Sequence, residues 1–374
     1  MLLAFRFRNE VGWKNPETQW SYRRQTIILS FTVFLKPVFS ALNPGLAGQI
    51  LSTPKRVLYG YMKMSNLNGL FKSNCSEITE GQKPSFSQEL SFYVIRRIKM
   101  PKLAAIQICC HVGDVDANLE KARNLIQDAS KAGAEFVCLP ELFTTGAAGD
   151  KTSALAEPIP GPTTDELADI AKNNHVYIAA GVAEKEQCTE KLYNASVLIS
   201  PDGELLKRYR KVFLYLGEKE SFTAGDESCV CDVSFGKIAL TICYDYVFPE
   251  YIRHLVLQGA ELLVHSTAWL TTDECERWNY NRGAYRAMGM TRALENGVYF
   301  ISANHWGNYD VAGNLRGIGQ SSIISPWGEI LDEVQEGEGI AIADVDFEVP
   351  TKWRENVAPY LADFRNGKKR LSFL

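Results

Sequence analysis

From Leu103 onward the chain alternates between two apolar patterns. Short unbroken apolar runs stand at Leu103–Ile108, Phe136–Leu139, Tyr177–Val182, Ala195–Ser200, Ile238–Ile242, Leu262–His265 and Val298–Ala303. They are of strand length and leave no polar alternation for a wet face, so they predict strands buried on both sides. Helical spacing appears between them. Leu119, Ala122, Leu125, Ile126 and Ala129 share one face behind Asp116, a candidate N-cap, and Gly133 is placed to close that helix. Leu167, Ile170 and Ala171 give Thr164–Asn174 an inward face, and further helices are predicted at about Phe248–Gln258 and Trp278–Glu295. Pro201-Asp202-Gly203 ends one strand and precedes another strand-like run. Pro326-Trp327-Gly328 separates the late strands Ser322–Ser325 and Glu329–Asp332, and Ile340–Val345 completes the set.

Alternating strands and helices indicate an α/β domain with helices covering sheet faces. No strand is followed by a glycine-rich phosphate loop, and no repeat of solenoid period occurs. Composition is that of a globular chain: 374 residues, 46% hydrophobic and 22% charged, with a net charge of −4. That charge gives no reason to expect nucleic acid or an anionic membrane as partner. Nine cysteines, odd in number and mostly inside apolar runs, suit a reducing compartment rather than a disulfide framework, so a cytoplasmic protein is expected. Cys229 and Cys231 read as a strand or strand-edge pair rather than a metal site.

Residues 1–99 break this pattern. They hold 14 Lys and Arg against 5 Glu and no Asp, a charge of +9, and the first aspartate of the chain is Asp114. Three readings compete: an acidic-poor targeting presequence, a membrane anchor, and a stretch outside the working protein, with Met100 as initiator. The anchor is the weakest, because Thr26–Leu35 is apolar for only ten residues. By composition the segment is expected to lack stable structure. The division is therefore 1–99 as an extension and 100–374 as the folded domain.

Candidate chemistry centres on Cys243, which ends the run Ile238–Ile242 and opens the compact stretch Tyr244-Asp245-Tyr246-Val247-Phe248-Pro249-Glu250. A thiol delivered by a buried strand onto a turn is held by the core and open on one side. It needs a base and a cation, because a free thiol is little ionised at neutral pH. Glu141 follows the run Phe136–Leu139 and Lys211 follows the strand-like run after Pro201-Asp202-Gly203. Each ends a strand, so all three could share one cleft. Of the basic neighbours, Arg208 is expected to be the solvated one. The ordinary alternatives are a core cysteine, a surface glutamate and a wet lysine.

Taken together, several segments resemble the carbon–nitrogen hydrolase (nitrilase-like) superfamily over residues 100–374: Pro-Glu-Leu at 140–142, Tyr-Arg-Lys at 209–211, Gly-Glu-Lys-Glu-Ser-Phe at 217–222 before Gly225-Asp226, and Ile-Cys-Tyr-Asp at 242–245. Arg292–Asn296, Ser302-Ala303-Asn304 and Gly319-Gln320-Ser321-Ser322 follow in the same order. Phe213 and Ala224 depart from the usual pattern, which has histidine and proline there. The resemblance implies a four-layer αββα sandwich, paired in a homodimer or higher homo-oligomer. It implies a Glu141–Lys211–Cys243 catalytic set, Glu218 as a second glutamate, the Tyr244 N–H as oxyanion donor, and Trp269 lining the acyl pocket. The expected reaction is cofactor-free hydrolysis of a small amide or carbamoyl (ureido) compound through a Cys243 thioester. Tyr244-Asp245 suits the amidase-type branches. A nitrilase, an acyl transferase using the same thioester, a binding module and a cysteine-ligated metalloprotein are the alternatives.

Overall fold

The computed structural model describes residues 100–368, apart from Asn279 and Asn281. The expectations for residues 1–99 lie outside the described residues. The first sheet is built from β1 (Lys102–Gln107), β2 (Phe136–Cys138), β3 (Tyr177–Lys185), β4 (Leu192–Ile199), β5 (Leu205–Arg210) and the late strand β15 (Gly339–Asp344). The second contains β6 (Val230–Val233), β7 (Gly236–Ile242), β8 (Leu262–Ser266), β10 (Tyr299–Ala303), β13 (Ser321–Ile324) and β14 (Ile330–Val334). Their spatial orders are β15-β1-β2-β3-β4-β5 and β14-β13-β10-β8-β7-β6. In the first sheet β1, β2 and β3 are parallel, and in the second β7, β8 and β10 are. Antiparallel strands complete both.

Strand periodicity explains why the runs look unbroken. Leu103, Ala105, Phe136, Cys138 and Ala179 pack in one cluster with Leu240, Ile242 and Val264 of the second sheet. Their neighbours Ala104, Ile106, Val137 and Leu139 pack instead on Ala122 and Ile126 of helix α1 (Val115–Lys131) and Leu167 and Ile170 of α2 (Pro162–Asn174). Alternate residues face opposite ways, and both faces are dry. Helix α3 (Pro249–Leu257) buries Ile252, Leu255 and Val256, and α4 (Arg282–Asn296) buries Tyr285 and Ala293, in the cluster that contains the second sheet. The result is the four-layer αββα sandwich.

Several local expectations need correction. The cap of α1 is Asp114, whose carboxylate accepts from the Ala117 N–H at 3.1 Å; Asp116 lies in the first turn. The helix expected from Trp278 is interrupted. Thr272 caps a short helix at Asp273–Arg277, Trp278 sits in the turn after it, and α4 starts at Arg282. Not foreseen were a small sheet of β9 (Leu270–Thr271), β11 (Trp306–Asn308) and β12 (Arg316–Ile318), and helices α5 (Val349–Asn356) and α6 (Tyr360–Lys368). Cys231 lies on the edge strand β6 with Cys229 just before it, both buried. Among the described residues no helix is long and apolar enough to cross a membrane.

Candidate active site

Parallel strands deliver their C-terminal ends to one side of a sheet, and that is where the candidate side chains gather. Glu141 follows β2, on a turn where Leu142 has φ 46°. This turn lies so close to β3 that a Cβ on Gly181 would stand 2.4 Å from the Glu141 Cα and 2.7 Å from the Pro140 O. Only glycine admits that approach, and the Gly181 backbone bonds the turn on both sides, to the Pro140 O and from the Phe143 N–H. The Glu141 carboxylate is buried, 2% exposed.

Strand alternation also sorts the basic run at the end of β5. Tyr209 and Lys211 turn inward, and Arg208 and Arg210 turn the other way onto the buried carboxylate of Glu184. Arg208, expected to be solvated, is thus half exposed but ion-paired at 2.9 Å. Lys211 is 1% exposed and donates to Glu141 Oε1 at 2.7 Å and to Glu218 Oε1 and Oε2 at 2.8 and 2.7 Å. Burial works against the ammonium, but Glu141, Cys243 and Glu218 outweigh it and hold the group above the ordinary lysine range. Glu218 opens a four-residue helix, Glu218–Ser221, and also accepts from the Tyr215 N–H at 2.7 Å; the nearby Glu220 is exposed.

Cys243 leaves β7 with φ 42°, a left-handed conformation that costs a non-glycine residue free energy and persists only where the surroundings impose it. Two groups impose it here. Asp245 Oδ2 accepts from the Ile242 N–H at 2.9 Å and from the Tyr209 hydroxyl at 2.7 Å, and Oδ1 from the Phe213 N–H at 2.9 Å. Arg292 of α4 donates to the Tyr246 and Val247 carbonyls at 2.7 and 3.0 Å. Burial pushes Asp245 up to about 6 against these hydrogen bonds. The thiol is pushed up by burial and then by Glu141, with Lys211 acting in the opposite direction, so it rests protonated. Its Sγ lies 3.8 Å from the Ala268 O, and the Ala268 N–H donates to Glu141 Oε2 at 2.7 Å. One residue after β8 therefore links base and thiol.

The other expected residues border this cluster. Tyr244 sets its ring 5.0 Å from Tyr215 and 5.2 Å from Phe248. Trp269 is 8% exposed and packs with Tyr246, Tyr280 and Tyr285, and its backbone N–H donates to Asn304 Oδ1 at 2.9 Å. Phe213, where histidine was expected from the resemblance, stacks on Phe248 at 3.9 Å. Among the described residues no cluster of three or more His, Cys, Asp or Glu is placed to hold a metal ion.

Sequence reasoning missed Asn194. It lies in the middle of β4 and is fully buried. Its Nδ2 donates to Glu141 Oε1 at 2.6 Å and to Glu218 Oε1 at 2.9 Å. A signal existed, because an asparagine interrupts the apolar strand Leu192–Ile199 with no turn beside it, and buried amides take partners.

A strand-delivered thiol in a strained turn thus stands beside a carboxylate–ammonium–carboxylate cluster, on two stacked mixed sheets with outer helices, the αββα class of fold. The carbon–nitrogen hydrolase profile matches residues 102–355, and the chain belongs to that family. It is 38% identical over 253 residues to a nitrilase from Pyrococcus abyssi, covering 66% of this chain and 90% of that one. It is 32% identical over 268 residues to an omega-amidase from Bos taurus, covering 68% and 92%. Among solved structures, a cysteine-to-serine variant of the nitrilase-superfamily amidase of Nesterenkonia AN1 superposes with a TM-score of 0.62 at 26% identity, covering 74% of this chain and 99% of that one. The protein is an enzyme of the carbon–nitrogen hydrolase class.

Proposed function

We propose that the enzyme hydrolyses a small amide or carbamoyl compound through a thioester on Cys243. The observation that carries this is the buried cluster in which Lys211 bridges Glu141 and Glu218 while Ala268 links Glu141 to the Cys243 thiol. Glu141 takes the thiol proton as sulfur attacks the carbonyl carbon. The oxyanion of the tetrahedral adduct faces the Lys211 ammonium and the Tyr244 N–H. Glu141 returns the proton to the departing nitrogen, and ammonia or amine leaves. Glu141 then deprotonates a water that opens the thioester, releasing the acid and restoring the thiol. Glu218 orients Lys211, and Trp269 with Tyr244 borders the acyl group.

Support also comes from the Nesterenkonia amidase, whose variants have been solved in complex with acrylamide and with butyramide, and with the acetamide moiety of fluoroacetamide added covalently at the active-site cysteine. The likeness to the Pyrococcus nitrilase favours a second reading, hydrolysis of a small nitrile at the same thiol. Ammonia release measured across a panel of amides, carbamoyl amino acids and nitriles decides between them. Turnover of amides or ureido compounds above nitriles is expected. Turnover of nitriles alone overturns the amidase reading, and product appearing only when an acceptor amine is added overturns hydrolysis.

A further inference from the structure

We propose that Asn194 is a positioning residue of this site, its side-chain amide fixing the separation and orientation of the Glu141 and Glu218 carboxylates on either side of the Lys211 ammonium. The reading rests on the hydrolase role proposed above. An amide has two N–H donors, and here one goes to each carboxylate, at 2.6 and 2.9 Å. The Asn194 backbone carbonyl accepts the Lys211 backbone N–H at 2.8 Å, so one residue of β4 holds all three charged partners. Its own place is set by the sheet: β4 pairs on both sides, with Asn194 opposite Ala183.

The orientation of the amide is settled by charge. Reversed, its oxygen would stand against two carboxylates at hydrogen-bond distance. As placed, Oδ1 is fully buried and has no hydrogen-bond partner among the described residues. Such an atom costs free energy, and the fold retains it where both donors serve Glu141 and Glu218. Two like charges sharing one ammonium otherwise repel, and either could swing away from it. Glu141 then has three N–H donors, from Lys211, Asn194 and Ala268. A carboxylate offers roughly four acceptor positions, so one remains for the proton of thiol, leaving group or water.

The charged and titratable groups facing Glu141 are Lys211 after β5, Glu218, Cys243 after β7, His305 with Nε2 2.7 Å from the Glu141 carbonyl, and Tyr309. Asn194→Ala removes a donor from the ionised carboxylate and leaves these in place. Two readouts on the full chain test the proposal. The first is the pH dependence of Cys243 alkylation by iodoacetamide, followed on the Cys243 peptide, which needs no substrate. Asn194→Ala should displace the profile upward by about one pH unit, read as alkylation about tenfold slower at each pH on its rising limb. The second is kcat and KM for an amide found in the screen: kcat should fall about 10- to 100-fold with KM changed less than about threefold. Asn194→Ser, which keeps one donor, should lie between. A folded fraction of either variant that alkylates with the wild-type profile and turns over within about twofold of wild-type kcat overturns the proposal. A shifted alkylation profile in a protein that turns over no amide leaves the positioning role standing and removes the hydrolase reading. Turnover with an unshifted profile does the reverse.

Discussion

Two buried thiols show what the environment of a side chain decides. Burial pushes Cys138 up to about 12, and its polar surroundings are the Ser266 side chain and the backbone of Ala303 and His265. Cys243 is raised by burial too, but it faces Glu141 and Lys211. Cys138→Ala is therefore expected to keep wild-type kcat and to lower stability by about 1 kcal/mol, read from a urea melt. Lys211→Met should lose turnover and also destabilise by roughly 3 kcal/mol, because Glu141 is left buried, and Glu218 partly buried, without their cation. A melt of that variant unchanged from wild type would show that the ion pairs do not hold the site together. Glu141 and Cys243 were legible in the sequence because each ends an apolar run, and Lys211 because it ends a strand-like run after the Pro201-Asp202-Gly203 turn. Asn194 was not, because a polar residue inside a strand does not reveal what stands opposite it. Asp114 and Asp116 flank the start of one helix, and composition alone does not say which of them caps it.

At the scale of elements, the site depends on how closely strand ends approach one another. Gly181→Ala would force the Pro140–Glu141 turn off β3, since the added Cβ meets backbone that has no room to yield. The expected result is a loss of kcat of about 100-fold or more with a stability loss of about 1–3 kcal/mol. Wild-type turnover in this variant would show that the turn can shift without cost. The central strands β1, β2, β3, β4, β7, β8 and β10 could be read from their apolar runs to within a few residues, because each is buried on both faces. The edge strand β6 is short and carries an exposed aspartate, and no unbroken apolar run marks it. The allocation of strands to two sheets could not be read, since β2 and β8 carry the same pattern and differ only in partners. The small sheet β11-β12-β9 escaped notice because its strands are two or three residues long and half polar, too short for any periodicity.

For the whole molecule, the buried titratable groups set the response to acid. Burial, with Lys211 adding to it, holds His265 down to about 3, and burial holds His305 down to about 4. Both are neutral in the fold and become protonated near 6.5 when unfolded. Their contribution is complete above about 6.5 and is lost as pH falls toward 4 and then 3. Asp245, raised to about 6, works the other way: its stabilising share is present below the unfolded carboxylate range and lost as pH rises through about 6. The histidines win between pH 7 and 5, for a net loss of roughly 2 kcal/mol. Urea melts at the two pH values check this, and His265→Gln should remove about half of the histidine share. Stability that rises on acidification over that window would contradict it.

In the proposed cycle Cys243 carries the acyl group during turnover. The direct measurement is the intact mass of enzyme mixed with a good amide substrate and quenched in acid within the first turnovers, followed by peptide mapping. A mass increase equal to the acyl group minus one hydrogen is expected, confined to the peptide bearing Cys243, released by neutral hydroxylamine and absent from Cys243→Ala. Full turnover with the label on another residue, or undiminished turnover by Cys243→Ala, would contradict it.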